Sequence, residues 1–183
     1  MTRSAAGYRV SVRQELRPAP LSGAALKRYV TAALGCLRAE SADVRIRVVG
    51  DAAIARWNRD FLGRARPTNV ISFPDADPPA PGGKSVSGDI VVSAPTCLAQ
   101  THGWSESPEA RVFFFVLHGM LHLAGYHHEA GGAQARRMRR KELQLYRRVL
   151  AGFGGRSSIP GDTLRSILQG GNVSRVRVPR RHE

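Results

Sequence analysis

The sequence predicts one domain in which about four short strands and about five helices succeed one another. Three observations carry that expectation. Val44-Arg45-Ile46-Arg47-Val48 alternates strictly between apolar and charged or apolar-flanking positions, the period-two signature of a half-buried strand. Val112 to Leu117 is an unbroken apolar run behind the helix start Ser107-Pro108-Glu109, so one helix is buried on nearly all sides. Between Pro74 and Gly83, Pro78, Pro79, Pro81 and Gly82 exclude regular structure and impose a loop.

The remaining elements follow in order. Tyr8, Val10 and Val12 share one face of a short first strand. Ser22 caps a helix running to about Arg38, with Leu26, Tyr29, Val30, Ala33, Leu34 and Leu37 on its apolar side. After the Val44–Val48 strand, Asp51 is expected to cap a helix that carries Ile54, Trp57, Phe61 and Leu62 at helical spacing and ends at Gly63. Val70 to Phe73 reads as a strand closed by Pro74, and Ile90 to Val92 as another behind Gly88-Asp89. Pro95 opens a helix to about Gly103, and a last helix runs from about Gln134 to Leu150. Gly152, Gly154 and Gly155 end the domain, so the organisation expected is a single domain over 1–155 and a basic, flexible tail over 156–183.

With 183 residues and 42% hydrophobic content, the chain can bury one real core. No apolar run approaches the ~20 residues needed to span a bilayer, which argues against membrane insertion and secretion. Cys36 and Cys97 are too few and too far apart for a disulfide framework or a cysteine zinc site, so a reduced, cytoplasmic protein is expected. The net charge of +14 suits a polyanionic partner, although 25 of the 28 basic residues are Arg, a skew that coding bias also produces. The charge is uneven: residues 51–100 hold five basic and five acidic residues, whereas 136–148 hold seven basic residues and one acid, Glu142.

The chemistry concentrates in His118-Gly-Met-Leu-His122-Leu-Ala-Gly125-Tyr-His127-His128. His118 and His122, four apart, project from one helix face one turn apart and can share a metal ion. A left-handed turn at Gly125 would bring His128 back as a third ligand. H-x3-H-x2-G-x2-H is the metzincin zinc spacing, and three protein nitrogens with an open position mark a catalytic ion. Water bound there would have a pKa of about 7. The bland alternative, three satisfied histidines on an apolar helix, leaves buried ring nitrogens unpaired at ~1–3 kcal/mol each. A protease of this type has Glu after the first histidine as general base; here that residue is Gly119.

The same eleven residues resemble the signature of the bacterial YbeY family, metal-dependent endoribonucleases of ribosomal RNA maturation. Pro67-Thr68-Asn69-Val70-Ile71-Ser72-Phe73-Pro74 resembles that family's P-T-[DN]-V-[LI]-S-F-P segment, and Ser87-Gly88-Asp89-Ile90 its Leu-Gly-Asp-[IL] segment. The resemblance covers roughly residues 8–153. It implies an α+β fold, a mixed sheet of about four strands packed with about five helices, with the metal site on a central helix. It further implies a zinc-type ion, or another divalent transition metal, on His118, His122 and His128. The activity implied is single-strand-specific cleavage of RNA in 16S rRNA 3′-end maturation and ribosome quality control, with rRNA and the ribosome or its proteins as partners.

Two positions depart from the family pattern. His127 stands where the family usually has Asp, and Leu62 where it usually has a phosphate-binding Arg. Arg64 and Arg66 are candidates to offset the charge developing on a phosphate, and His127 is a candidate acid or base or else a solvent-facing histidine at a helix end. Asp89 reads as a turn residue or a cleft residue, and Trp57 and Phe61 as core or as a base-stacking pair. The alternatives to a nuclease are an assembly factor with a structural zinc and, less favoured because Gly119 supplies no general base, a metalloprotease.

Overall fold

The structure, a computed structural model, describes residues 7–77, 79–128, 132–155 and 174–175. Strand β1 (Gly7–Gln14) leads through α1 (Gly23–Leu37) to β2 (Ser41–Val49), then α2 (Asp51–Leu62), β3 (Val70–Pro74) and β4 (Ser85–Ser93). Helices α3 (Ala94–Gln100), α4 (Pro108–Leu123) and α5 (Gly132–Gly152) follow. The sheet is mixed. β1, β2 and β4 are parallel, with Val10 opposite Val44 and Ile46 opposite Ile90, and β3 runs antiparallel to β4 with Ile71 opposite Val91. The expected α+β architecture is thus the one present. Most of the expected tail over 156–183 lies outside the described residues; Ser174–Arg175 form β5, parallel to the far side of β3.

Because strand side chains alternate, the sheet has two unlike faces. Val10, Val44, Ile46, Val48, Val70, Val86, Ile90 and Val92 all point to one face, where α1 and α4 close the main core. Helix α4 is buried at every position from Val112 to Leu123, as its apolar run requires. Helix α5 covers α4 from the other side with Met138, Leu145, Tyr146 and Val149. On the opposite face a smaller cluster, Val49, Ile54, Ile71 and Val91, packs under α2 alone.

Three local expectations are corrected. Gly50, not Asp51, is the cap residue of α2; Asp51 instead accepts hydrogen bonds from Ser93 Oγ at 2.5 Å and Thr96 Oγ1 at 2.6 Å, tying α2 to the start of α3. β4 begins five residues earlier than Ile90, so Asp89 is in mid-strand rather than in a turn. There it faces Arg45 across β2, which donates to it at 2.9 and 3.2 Å. Phe61 is not core: it is 51% exposed at the end of α2.

Candidate metal centre

The histidines are placed by a helix that two glycines allow to sit where it does. Gly119 lies against the sheet: a Cβ there would stand 3.3 Å from Ile90 Cγ2 and 3.4 Å from Val70 Cγ2. The position after the first histidine therefore points at the sheet, away from the histidine face. Gly125 ends the following turn with φ +84°, and its own Cβ would meet the Pro79 carbonyl oxygen at 1.9 Å. Both the left-handed backbone and the close approach of the 79–80 loop demand glycine there. The turn is closed by Gly125 N–H donating to the His122 carbonyl and Tyr126 N–H to the Leu121 carbonyl, at 3.1 and 2.9 Å.

This reversal brings the three predicted ligands together. The His128 ring stands 5.2 Å from that of His118 and 5.0 Å from that of His122, centroid to centroid. One ring nitrogen from each of the three lies within 4.8 Å of the others. His118 Nε2 and His122 Nε2 face each other at 3.1 Å, close to the ~3.3 Å edge of a tetrahedron with metal–nitrogen bonds of about 2.0 Å. His128 Nε2 is buried with no hydrogen-bond partner among the described residues. A buried nitrogen lone pair left over at the convergence of two others is what a cation would satisfy, so the residues fit a metal ion.

Behind this cluster is a residue the sequence reading passed over. Glu142 on α5 is fully buried, and its Oε1 lies 2.8 Å from His118 Nδ1. A carboxylate on the far nitrogen of a metal-binding imidazole fixes the ring's tautomer and orientation and leaves Nε2 free for the ion. Burial pushes the Glu142 carboxyl up to about 8, against the lowering influence of His128 and Arg139; a cation held by His118 would favour its ionised, hydrogen-bond-accepting form. The signal was present in the sequence: Glu142 falls at i+4 from Met138 and i−3 from Leu145, on the apolar stripe of α5.

The other predicted residues are dispersed. The His127 ring lies 6.0 Å from that of His122, and it lines a cavity of about 170 Å³ with Pro81, Gly125, Tyr126, Gln134 and Arg137. Arg137 reaches over the Tyr126 ring at 5.9 Å, so a guanidinium stands in that cavity. Arg64 and Arg66 are exposed in the segment between α2 and β3. Leu62 packs into the cluster under α2.

Known proteins resemble this chain over most of its length. The family described as endoribonuclease YbeY matches residues 15–150. An endoribonuclease YbeY of Geobacter sulfurreducens is 34% identical over 146 residues, which span 75% of this chain and 93% of that protein. That of Chloroflexus aurantiacus is 40% identical over 111 residues, 58% of this chain and 72% of its own length. The fold is also that of a Thermotoga maritima protein solved in solution, with a TM-score of 0.55 at 22% identity over 79% of this chain and 91% of that one.

Proposed function

The chain belongs to the YbeY family of endoribonucleases, and from that premise we propose that it cleaves single-stranded RNA at a zinc ion held by His118, His122 and His128. The substrate of this reading is the 3′ end of 16S rRNA, in maturation and ribosome quality control, with the ribosome or its proteins as partners in the cytoplasm. The observation that carries it is the convergence of three imidazole nitrogens within 4.8 Å at the end of a buried helix. The domain in this reading spans residues 1–155, and the basic segment 156–183 adds RNA affinity through counterion release. No helix among the described residues is long and apolar enough to cross a membrane.

When bound, the ion supplies Lewis-acid charge that polarises a phosphate oxygen or acidifies water. The chain's own residues do the rest. Glu142 accepts a hydrogen bond from His118 Nδ1–H and holds that ring with Nε2 toward the ligand cluster. His127, which lines the cavity beside the ligand cluster, takes or gives a proton at its ring. Arg64 or Arg66 offsets the charge that develops on the phosphoryl oxygens, and Arg137 in the His127 cavity is a further cation for that charge. Peptide hydrolysis by the metzincin route finds no base at position 119, since any side chain there points into Val70 and Ile90.

The test is incubation of the protein with a 3′-extended small-subunit rRNA fragment beside His122→Ala. Cleavage by the parent alone is expected. Equal cleavage by both would place the activity elsewhere, and no cleavage by a zinc-loaded parent would favour an assembly factor with a structural ion.

A further inference from the structure

The face of the sheet opposite the histidines carries an aromatic cluster that the metal centre does not use. Trp57 and Phe61, one turn apart on α2, stack with ring centroids 5.4 Å apart and planes 16° apart. Both meet Phe73 of β3 edge-on, at 5.4 and 5.0 Å, so the three rings form a closed triangle. Phe61 is 51% exposed and is one of only two large exposed apolar side chains among the described residues. The Arg47 guanidinium lies over the Trp57 ring at 5.7 Å. Exposed Arg56 and Arg59 flank the cluster on α2, and exposed Arg64 and Arg66 follow it in the chain.

Phe61 packs on Trp57 and Phe73 with one side of its ring and leaves the other side open to solvent. Here it sits among cations. Residues 47–60 hold three arginines, Arg47, Arg56 and Arg59, against two acids, Asp51 and Asp60. Asp51 is engaged with Ser93 and Thr96, and Asp60 pairs with Arg59 at 2.8 Å. Glu15 pairs with Arg47 at 3.5 Å, and Arg56 is the exposed cation of α2 beside the rings. Rings that accept unstacked bases, fringed by guanidinium groups that neutralise phosphates, are the two parts of a single-strand surface. A duplex hides its base faces and has nothing to offer the rings.

We propose that the Trp57–Phe61–Phe73 cluster, with Arg47 and Arg56, is a docking surface for single-stranded RNA separate from the metal centre. It rests on the endoribonuclease reading only for the choice of RNA as the polyanion. Because α2 and α4 lie on opposite faces of the sheet, RNA held here must pass around the sheet to reach the histidines. Affinity from this surface should therefore depend on strand length.

The test measures binding of a labelled single-stranded oligoribonucleotide of about twelve residues by fluorescence anisotropy. Full-length protein carrying His122→Ala is used, so that the probe survives. Adding Phe61→Ala should weaken binding on the order of tenfold, the loss of one base–aromatic stack, while Phe61→Tyr should retain it. Affinity for a duplex of the same length should not move. Single-strand affinity within twofold of the parent in a folded Phe61→Ala protein would overturn the proposal, as would an equal loss for the duplex. The two readings fail separately. Phe61-dependent binding by a protein that never cuts RNA would sink the nuclease and leave the surface; cleavage with Phe61-independent binding would do the reverse.

Discussion

The two faces of the sheet are covered differently, and each kind of cover leaves a different trace in the sequence. On the α4 face, strands and helix are mostly apolar; the buried polar side chains include Ser72 of β3 and the two helix histidines, of which His118 points to Glu142 of α5. On the α2 face, one amphipathic helix covers Val49, Ile71 and Val91, and the rest is a ladder of charges: Arg9 with Asp43 at 2.9 Å, Arg45 with Asp43, Asp75 and Asp89. The first face holds a helix rigidly enough to aim ligands. The second remains accessible, and its chemistry is spread over β1, β2, β4 and the segment after β3. A site built within one helix and its turn is written in local spacing. A surface built across strands is not.

The strongest test of this contrast is at the ligands. His118→Ala should lower RNA cleavage by a thousandfold or more, about 4 kcal/mol of barrier, with the circular dichroism of the parent. A variant that retained a tenth of the activity would show that the α4 face is scaffold and not centre.

Gly119→Glu sharpens the point from the sheet side. It restores the protease-like sequence but forces a carboxylate between Val70 and Ile90, an unpaired buried charge worth about 3–5 kcal/mol of stability. Thermal unfolding should show a large fall in Tm, and casein should remain uncut. A stable variant that cut casein would mean that position 119 faces the histidines after all.

Glu142→Leu should weaken zinc affinity about 10–100-fold, read by competition with a chelator. Glu142→Gln, whose amide oxygen can still accept from His118 Nδ1, should recover much of it. Equal affinity in all three proteins would reduce Glu142 to a buried polar residue without influence on the ion.

The smallest effect belongs to the α2 face. Burial works against ionisation of Asp75, yet hydrogen bonds from Arg45 and Ser87 prevail and hold its carboxyl below the ordinary value of 3.8. A depressed folded-state pKa adds stability above the ordinary value, and that stability is lost as pH falls through the folded one. Arg45→Met should therefore cost no more than about 1 kcal/mol at neutral pH, and the difference from the parent should shrink in acid. A cost that stayed constant down to pH 2 would assign it to packing.

Much of this was legible in the sequence, for physical reasons that differ by element. Apolar spacing gave α1, α4 and α5 to within a few residues, since each packs one face or all faces on the core. The triad was readable because His118, His122, Gly125 and His128 are close in the chain and the turn between them needs glycine. β4 was seen only at Ile90–Val92: its first half turns Ser87 and Asp89 to the polar face, and its Gly88 resembles a turn. The pairing of Asp89 with Arg45 spans 44 residues, and that of Glu142 with His118 spans 24. Neither follows from any local pattern, although an acid on the apolar stripe of α5 should have drawn attention to Glu142. Strand order likewise depends on which edges meet, and no single strand encodes that.

The most direct measurement is RNA cleavage by chelator-stripped protein as zinc is returned. The rate should start near zero, rise linearly and break at one equivalent per chain, with no recovery in His128→Ala at the same zinc concentration. Full cleavage by the stripped protein, or a His128→Ala titration that overlays the parent's, would contradict a nuclease centred on these three histidines.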